Sequence, residues 1–178
     1  KTLPIKKVNQ KIAFVPLEQT DYDQFLTHLQ KYANVELVNV KDPSQINLLN
    51  EYDVVITGAF LSNETVYKSY KLSANSKAIL NALPKDKKKI LSLFTSPYGL
   101  KDLDLSNLDA VTVQYQNTKD AQTAATQVIF GAIDSEGTLP VDINANLIEG
   151  QGIVTKHIKR LGFTAPENVG LGKKNFQK

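Results

Sequence analysis

Acidic side chains are the groups in this sequence whose type and placement could support hydrolytic chemistry. Hydrolysis of a glycosidic bond needs two carboxyl groups flanking that bond, one as acid and the other as nucleophile or base. Acidic residues at helix starts have a simpler interpretation, because a carboxylate there stabilises the positive end of the helix dipole. Asp21, Asp23, Glu64 and Asp120 fit this structural interpretation. The acidic residues near predicted strand ends or in loops are Glu18, Asp21, Glu64, Asp120, Asp134, Glu136 and Glu149.

Serine chemistry is the second possibility in the residue pattern. Ser96 follows a predicted strand, but His28 lies in the first predicted helix and His157 in a basic segment near the end. Neither histidine is placed for a catalytic triad, so we interpret Ser96 as a turn serine before Pro97. Tyr115-Gln-Asn117 matches a triplet of penicillin-binding enzymes, but its companion motifs Ser-x-x-Lys and Lys-Thr-Gly are absent. We assign no catalytic, cofactor-binding or metal-binding residue.

Composition narrows the class of protein. The 178 residues, 42% hydrophobic and 22% charged, suit one globular domain. A net charge of +3 is too small to indicate nucleic-acid binding, and no apolar run reaches the roughly 20 residues of a membrane span. No nucleotide fingerprint is present, so no cofactor is expected. The chain has no methionine, from which we expect it to be part of a longer polypeptide.

Apolar runs alternate with segments of helical periodicity. This alternation predicts an α/β three-layer sandwich, with a mostly parallel sheet of five to six strands and helices on both faces, as in flavodoxin-like folds. Helix starts are predicted at Thr20, Asp42 and Ser73, and the most regular helix covers Ala121–Ala132. Strands are predicted at Lys11–Pro16, Val35–Val40, Asp53–Thr57, Ile90–Phe94, Ala110–Tyr115 and, as an edge strand because of Pro140, Leu139–Ile143.

The carboxyl ends of the strands are where such a sheet usually binds ligands. Tyr67 and Tyr70, in the connection after the third strand, could stack on a sugar, or they could pack on the sheet or on a neighbouring domain. The same connection is predicted to carry an uncovered apolar docking face, composed of Phe60, Leu61, Val66, Tyr67 and Tyr70.

Four segments, in order, resemble the C-terminal α/β domain of family 3 glycoside hydrolases, and most closely the β-N-acetylglucosaminidase branch. They are Ile90-Leu-Ser-Leu-Phe-Thr-Ser-Pro-Tyr-Gly-Leu100, Asp109-Ala-Val-Thr-Val-Gln-Tyr-Gln-Asn-Thr118, Ala121–Ile133 and Gly137-Thr-Leu-Pro-Val-Asp-Ile143. The resemblance implies that residues 1–165 form this sandwich domain. In that family an upstream β/α barrel carries the aspartate nucleophile, and in the glucosaminidase branch also the histidine of an Asp–His pair. No residue of this chain matches those motifs.

Leu161-Gly-Phe-Thr-Ala-Pro-Glu-Asn-Val-Gly-Leu171 resembles the junction between this domain and a β-lactamase-like domain in some large bacterial relatives. Residues 166–178 are then either a tail or the start of that following domain. The resemblance implies a non-catalytic accessory domain that packs on the barrel, contacts carbohydrate only through it, and is inactive alone. It also implies a cell-envelope, periplasmic or secreted location, with the cytoplasm as the alternative.

Two other functions remain open from the residues. One is a free-standing flavodoxin-like binding or interaction module, although the first loop, Pro16–Thr20, has no glycine or run of hydroxyls to hold a phosphate. The other is an enzyme complete in itself, which would need a carboxylate pair that the sequence does not reveal.

Overall fold

A five-stranded, entirely parallel sheet forms the centre of the protein, in a computed structural model that describes residues 2–18, 21–61 and 70–163. The strand order is β2-β1-β3-β4-β5, so β1 is the second strand from one edge and β5 forms the opposite edge. This order is that of flavodoxin-like folds. The strands are β1 (Ile12–Leu17), β2 (Val35–Leu37), β3 (Val54–Phe60), β4 (Lys88–Phe94) and β5 (Ala110–Val113).

Helices cover both faces of this sheet, which confirms the predicted three-layer α/β architecture. On one face lie α1 (Asp23–Gln30) and α3 (Lys119–Phe130), whose apolar sides share a cluster with Phe14 and Phe60. On the other lie α2 (Ala74–Ala82) and a 3₁₀ helix (Pro43–Leu49). A second short 3₁₀ helix, Pro97–Leu100, follows β4. No helix in the described part of the chain is long and apolar enough to cross a membrane.

Local capping explains where several helices begin. The side chain of Ser73 accepts a hydrogen bond from the N–H of Ser76, and Asp42 likewise caps the 3₁₀ helix at Ser44, as predicted. Thr118 caps α3 in the same way, and Gly131 ends it in the left-handed conformation. The predicted cap Thr20 lies outside the described residues; α1 begins at Asp23, with no side-chain cap at Tyr22.

The sixth strand predicted at Leu139–Ile143 does not form. This segment belongs to an irregular excursion, residues 135–155, whose two ends are joined by an antiparallel bridge between Ser135 and Thr155. Leu139 bonds through its N–H to the carbonyl of Gln151 rather than to the neighbouring strand β5. Pro140 has no N–H to donate, so an apolar run alone did not suffice to extend the sheet. The side chains of Leu139, Val141 and Ile143 still pack against the apolar cluster on the α2 face.

Candidate functional site

The carboxyl edge of the sheet contains the two described non-glycine residues with positive φ. They are Glu18 at the end of β1 (φ 54°) and Tyr115 just beyond β5 (φ 64°). Such backbone is costly for a residue with a side chain, and it persists only when neighbouring contacts hold it. Glu18 accepts the N–H of Ser73 at 2.5 Å, which ties β1 to the start of α2. The Glu18 carboxylate is therefore used in a structural contact.

A polar network holds the backbone of Asp21, a second acidic candidate at this edge. Gln122, which is buried, donates through Nε2 to the carbonyl of Asp21 at 2.8 Å and to Oδ1 of Asn117 at 2.7 Å. Asn117 also donates to the Asp21 carbonyl. The Asp21 side chain accepts the N–H of Asp23 just before α1, as the structural interpretation predicted. Asp120 lies exposed in the first turn of α3, where the same interpretation placed it.

Ser96 and the two histidines are engaged in different parts of the molecule. The ring of His28, in the last turn of α1, meets the Gln24 carbonyl through Nδ1 at 3.0 Å and Lys31 Nζ through Nε2 at 3.2 Å. His157 pairs instead with Asp134. With both rings occupied elsewhere, the structure brings no histidine to Ser96, in agreement with its interpretation as a turn residue.

Asp134 and Glu136 are the two candidate carboxylates that share a partner, Lys156. Asp134 also accepts the backbone N–H of His157 at 2.6 Å and meets its ring nitrogen at 2.7 Å. These hydrogen bonds, with that from Lys156, lower the pKa of Asp134 from 3.8 to about 2. A general acid needs a raised pKa, so Asp134 is unsuited to that role. Its contacts hold the base of the 135–155 excursion closed.

Glu149, the remaining described candidate, adds no acid–base pair. Glu149 is exposed in a turn, and its N–H donates to Asp142. Glu64 lies outside the described residues. Within the described ranges, no group of histidine and acidic residues has the arrangement that holds a metal ion.

Three exposed tyrosines distinguish this edge within the described ranges: Tyr70, Tyr98 and Tyr115. The rings of Tyr70 and Tyr98 lie 5.9 Å apart at 47°, and the Tyr115 hydroxyl donates to the Thr138 carbonyl. Sequence reasoning had singled out Tyr70 but missed Tyr98. The signal for it was the turn Ser96-Pro-Tyr-Gly99, which presents a large aromatic residue directly after a buried strand.

The docking face predicted at this connection is wrong for Phe60. The strand β3 continues to Phe60, which is fully buried and stacks on Phe94 with ring centroids 4.6 Å apart. Leu61 is partly buried against the α2-side cluster, and Tyr70 is exposed. Val66 and Tyr67 lie outside the described residues.

A polar cavity of about 540 Å³ lies at the opposite, amino edge of the sheet. Its polar groups are used in structural contacts. Asn107 donates to the carbonyls of Leu80 and Leu83 at the end of α2, and Lys89 contacts Asp109 and the carbonyl of Lys85. This cavity is therefore a weaker candidate than the carboxyl edge.

Comparison with solved structures finds the same fold within much larger proteins. A fungal multi-domain β-N-acetylglucosaminidase of glycoside hydrolase family 3, described with a GCN5-related glucosamine N-acetyltransferase region, is similar over 86% of this chain, with a TM-score of 0.63 and 23% identity. The β-glucoside phosphorylase BglX is similar over 82% of the chain (TM-score 0.60, 18% identity). A β-glucosidase from Listeria innocua, solved with gluconolactone, is similar over 74% (TM-score 0.54, 16% identity).

The chain spans only 17%, 28% and 22% of those three proteins, respectively. No protein-family model matches the sequence, and no curated protein matches it. At these identities the similarity establishes the fold, and that fold recurs as a part of larger carbohydrate-active chains.

Proposed function

We propose that this chain is a non-catalytic accessory domain of a family 3 glycoside hydrolase of the β-N-acetylglucosaminidase type. The observation that carries this proposal is the shared fold with three large solved proteins, all named for β-linked sugars, of which the chain spans a minor part. The four sequence segments that resemble the C-terminal domain of that family point in the same direction.

The occupied carboxylates support an accessory rather than a catalytic role. Glu18 and Asp134 are held in hydrogen bonds to other parts of the fold, and Asp134 stays ionised because its pKa is depressed. The nucleophile and acid then belong to an upstream β/α barrel, where the sugar substrate would be cleaved. By the same resemblance we place a β-lactamase-like domain downstream and the parent protein in the cell envelope or outside the cell.

The proposed docking face for the barrel lies near the described ends of the chain. Leu161, at 81%, is the most exposed large apolar side chain among the described residues. Arg160, beside Leu161, donates to the carbonyls of Ile5 and Lys6, so the first and last described segments lie together. A domain attached ahead of Ile5 would therefore begin close to the exposed side chain of Leu161.

The first test is the coding sequence on both sides of the segment, followed by expression of the whole polypeptide and of residues 1–178 alone. We expect an upstream barrel, hydrolysis of an aryl N-acetyl-β-glucosaminide by the whole polypeptide, and none by the isolated chain. A start codon and signal peptide immediately before Lys1, or hydrolysis by the isolated chain, would overturn the proposal.

A variant pair tests the docking face. Leu161→Asp should lower the melting temperature of the whole polypeptide while leaving that of the isolated chain unchanged. Leu48→Asp, also at an exposed leucine but on the first 3₁₀ helix, is the matched control and should change neither. Equal effects of the two variants on the whole polypeptide would remove this surface as the interface.

A further inference from the structure

The paired tyrosines Tyr70 and Tyr98 stand on two segments that are fixed to each other at three points. Besides the ring contact, the backbone carbonyl of Tyr70 approaches Gly99 so closely that a Cβ there would lie 3.0 Å from it. The third point is an ion pair between Lys71 and Asp102 at 3.2 Å. Lys71 directly follows Tyr70, and Asp102 lies in the same short segment as Tyr98. The two rings are therefore held in a defined relation, although both are exposed.

This arrangement lies at the edge of the sheet where α/β folds bind ligands. Tyr98 follows β4 through the turn that opens the second 3₁₀ helix, and Tyr70 precedes α2. Tyr115, also exposed, lies at the same edge, whereas the remaining described tyrosines, Tyr22, Tyr32 and Tyr52, are packed against the body of the domain or buried. The exposed tyrosines are thus restricted to this edge within the described part of the chain.

The chemistry of the surface suits a neutral molecule that is apolar on one face and rich in hydroxyls at its rim. The tyrosine rings offer flat apolar area and hydroxyl groups, while Lys71 and Asp102 add donors and acceptors of opposite charge beside them. A pyranose ring has this character, with C–H groups on its face and hydroxyls around it. The balanced charge gives no preference for a phosphate backbone.

We propose that Tyr70 and Tyr98 form a carbohydrate-binding platform that holds a pyranoside on this domain itself, independently of any catalytic barrel. The choice of a β-linked N-acetylglucosamine chain as its ligand rests on the proposed function. The platform supplies binding and no bond cleavage. It would keep a polymeric substrate near the enzyme to which the domain belongs.

The test is a titration of residues 1–178, labelled with nitrogen-15, with triacetylchitotriose up to about 10 mM, which covers the weak range expected of one small platform. We expect saturable shifts of the amide signals of Tyr70, Lys71 and 98–102. Tyr98→Ala should weaken binding about five- to tenfold, the loss expected for one aromatic contact. Tyr98→Phe, which keeps the aromatic ring, should retain the binding of triacetylchitotriose. Ile153→Ala, at another exposed apolar residue, should bind this sugar as the unchanged chain does.

Absence of saturable shifts, or shifts that Tyr98→Ala leaves unaltered, would overturn the platform. Circular dichroism of Tyr98→Ala separates lost binding from lost folding, and the half-exposed position of Tyr98 predicts an unchanged spectrum. The result is distinguishable from that for the proposed function. Sugar binding without an upstream barrel in the gene would refute the accessory role alone, whereas a barrel without sugar binding would refute the platform alone.

Discussion

The side-chain oxygen of Gln122, in α3, accepts the backbone N–H of Phe25, in α1, at 2.7 Å, across 97 positions of sequence. The same side chain donates to Asp21 and Asn117, so a single buried amide joins the start of α1 to the loop that follows β5. This contact fixes the two helices over the aromatic cluster of the sheet and shapes one side of the carboxyl edge.

Replacing Gln122 by alanine should destabilise the domain by about 2–3 kcal/mol, because it leaves buried donors and acceptors without partners. Urea denaturation monitored by circular dichroism measures this change. Gln24→Ala is the control, since the side chain of Gln24 makes a partly buried hydrogen bond to Thr123, and its backbone bond to His28 is kept in the variant. That variant should cost less than about 1 kcal/mol. Equal losses for the two variants would show that the Gln122 network is not cooperative.

Gly58→Ala should destabilise the protein through the aromatic cluster. A Cβ at residue 58 would lie 2.4 Å from the ring of Phe60 and 3.1 Å from that of Phe14, and both rings are fully buried. We expect a loss of about 1–3 kcal/mol, the usual cost of overpacking a core. Gly137→Ala, where a Cβ meets nothing within 4 Å, should stay within about 0.5 kcal/mol of the original. Thermal and urea denaturation of both variants check this, and a neutral Gly58→Ala would mean that the rings can move.

The contact between Asp134 and His157 should make stability depend on pH in the acid range. The pKa of Asp134 is lowered from 3.8 to about 2 by hydrogen bonds from His157 and Lys156. Because the pKa is lower in the folded state than in the unfolded state, the ionised carboxylate stabilises the fold above about pH 4. This stabilisation is lost as the pH falls from about 4 through about 2. Asp134→Asn should therefore be less stable than the original at pH 6, with the difference vanishing near pH 2. Denaturation curves at several pH values measure it; a constant difference would contradict the assignment.

Tyr52 should titrate well above an ordinary tyrosine. Its hydroxyl donates to Glu36 at 2.7 Å, and this hydrogen bond, with burial and the Glu36 charge, raises the pKa of Tyr52 to about 12. Because the pKa is higher in the folded state, this hydrogen bond contributes fully to stability below about pH 10, and its contribution is lost as the pH rises through about 12. Ultraviolet titration of tyrosinate should show a late component that Tyr52→Phe removes and that Glu36→Gln moves to lower pH. A late component unchanged in Tyr52→Phe would assign it to another tyrosine.

Local patterns in the sequence were sufficient for much of the fold. The caps at Asp42 and Ser73 need only a side chain and an N–H two or three residues later, so they are readable from spacing. The helical repeat of apolar residues located α3, but its buried side differs from the one predicted. Ala125 and Ile129 of the repeat are buried, whereas Ala121, Ala124, Val128 and Ala132 are only partly buried. The polar residues expected on the opposite side include the buried Gln122, Thr126 and Gln127. The three central strands, β1, β3 and β4, follow from mostly apolar runs, which a parallel sheet buried on both faces requires.

Features that depend on distant partners were not readable in this way. An apolar run at Leu139–Ile143 does not reveal whether a neighbouring strand will accept it, and the sheet ends at β5. Phe60 was placed in an exposed connection because its stacking partner, Phe94, lies 34 positions later and pairs with it only across β3 and β4. The Tyr70–Tyr98 pair likewise arises from two connections that no local spacing relates.

The clasp made by Arg160 has a mechanical consequence. Arg160 bonds Ile5, Lys6 and Phe130, while Ile5 and Ile158 bond the end of α3 through their own N–H groups. Tension between whatever precedes Ile5 and whatever follows Arg160 would therefore fall first on these few hydrogen bonds. The strands, joined by continuous ladders, would carry load only after the clasp had opened. Such tension would therefore separate the first and last described segments before it sheared the sheet.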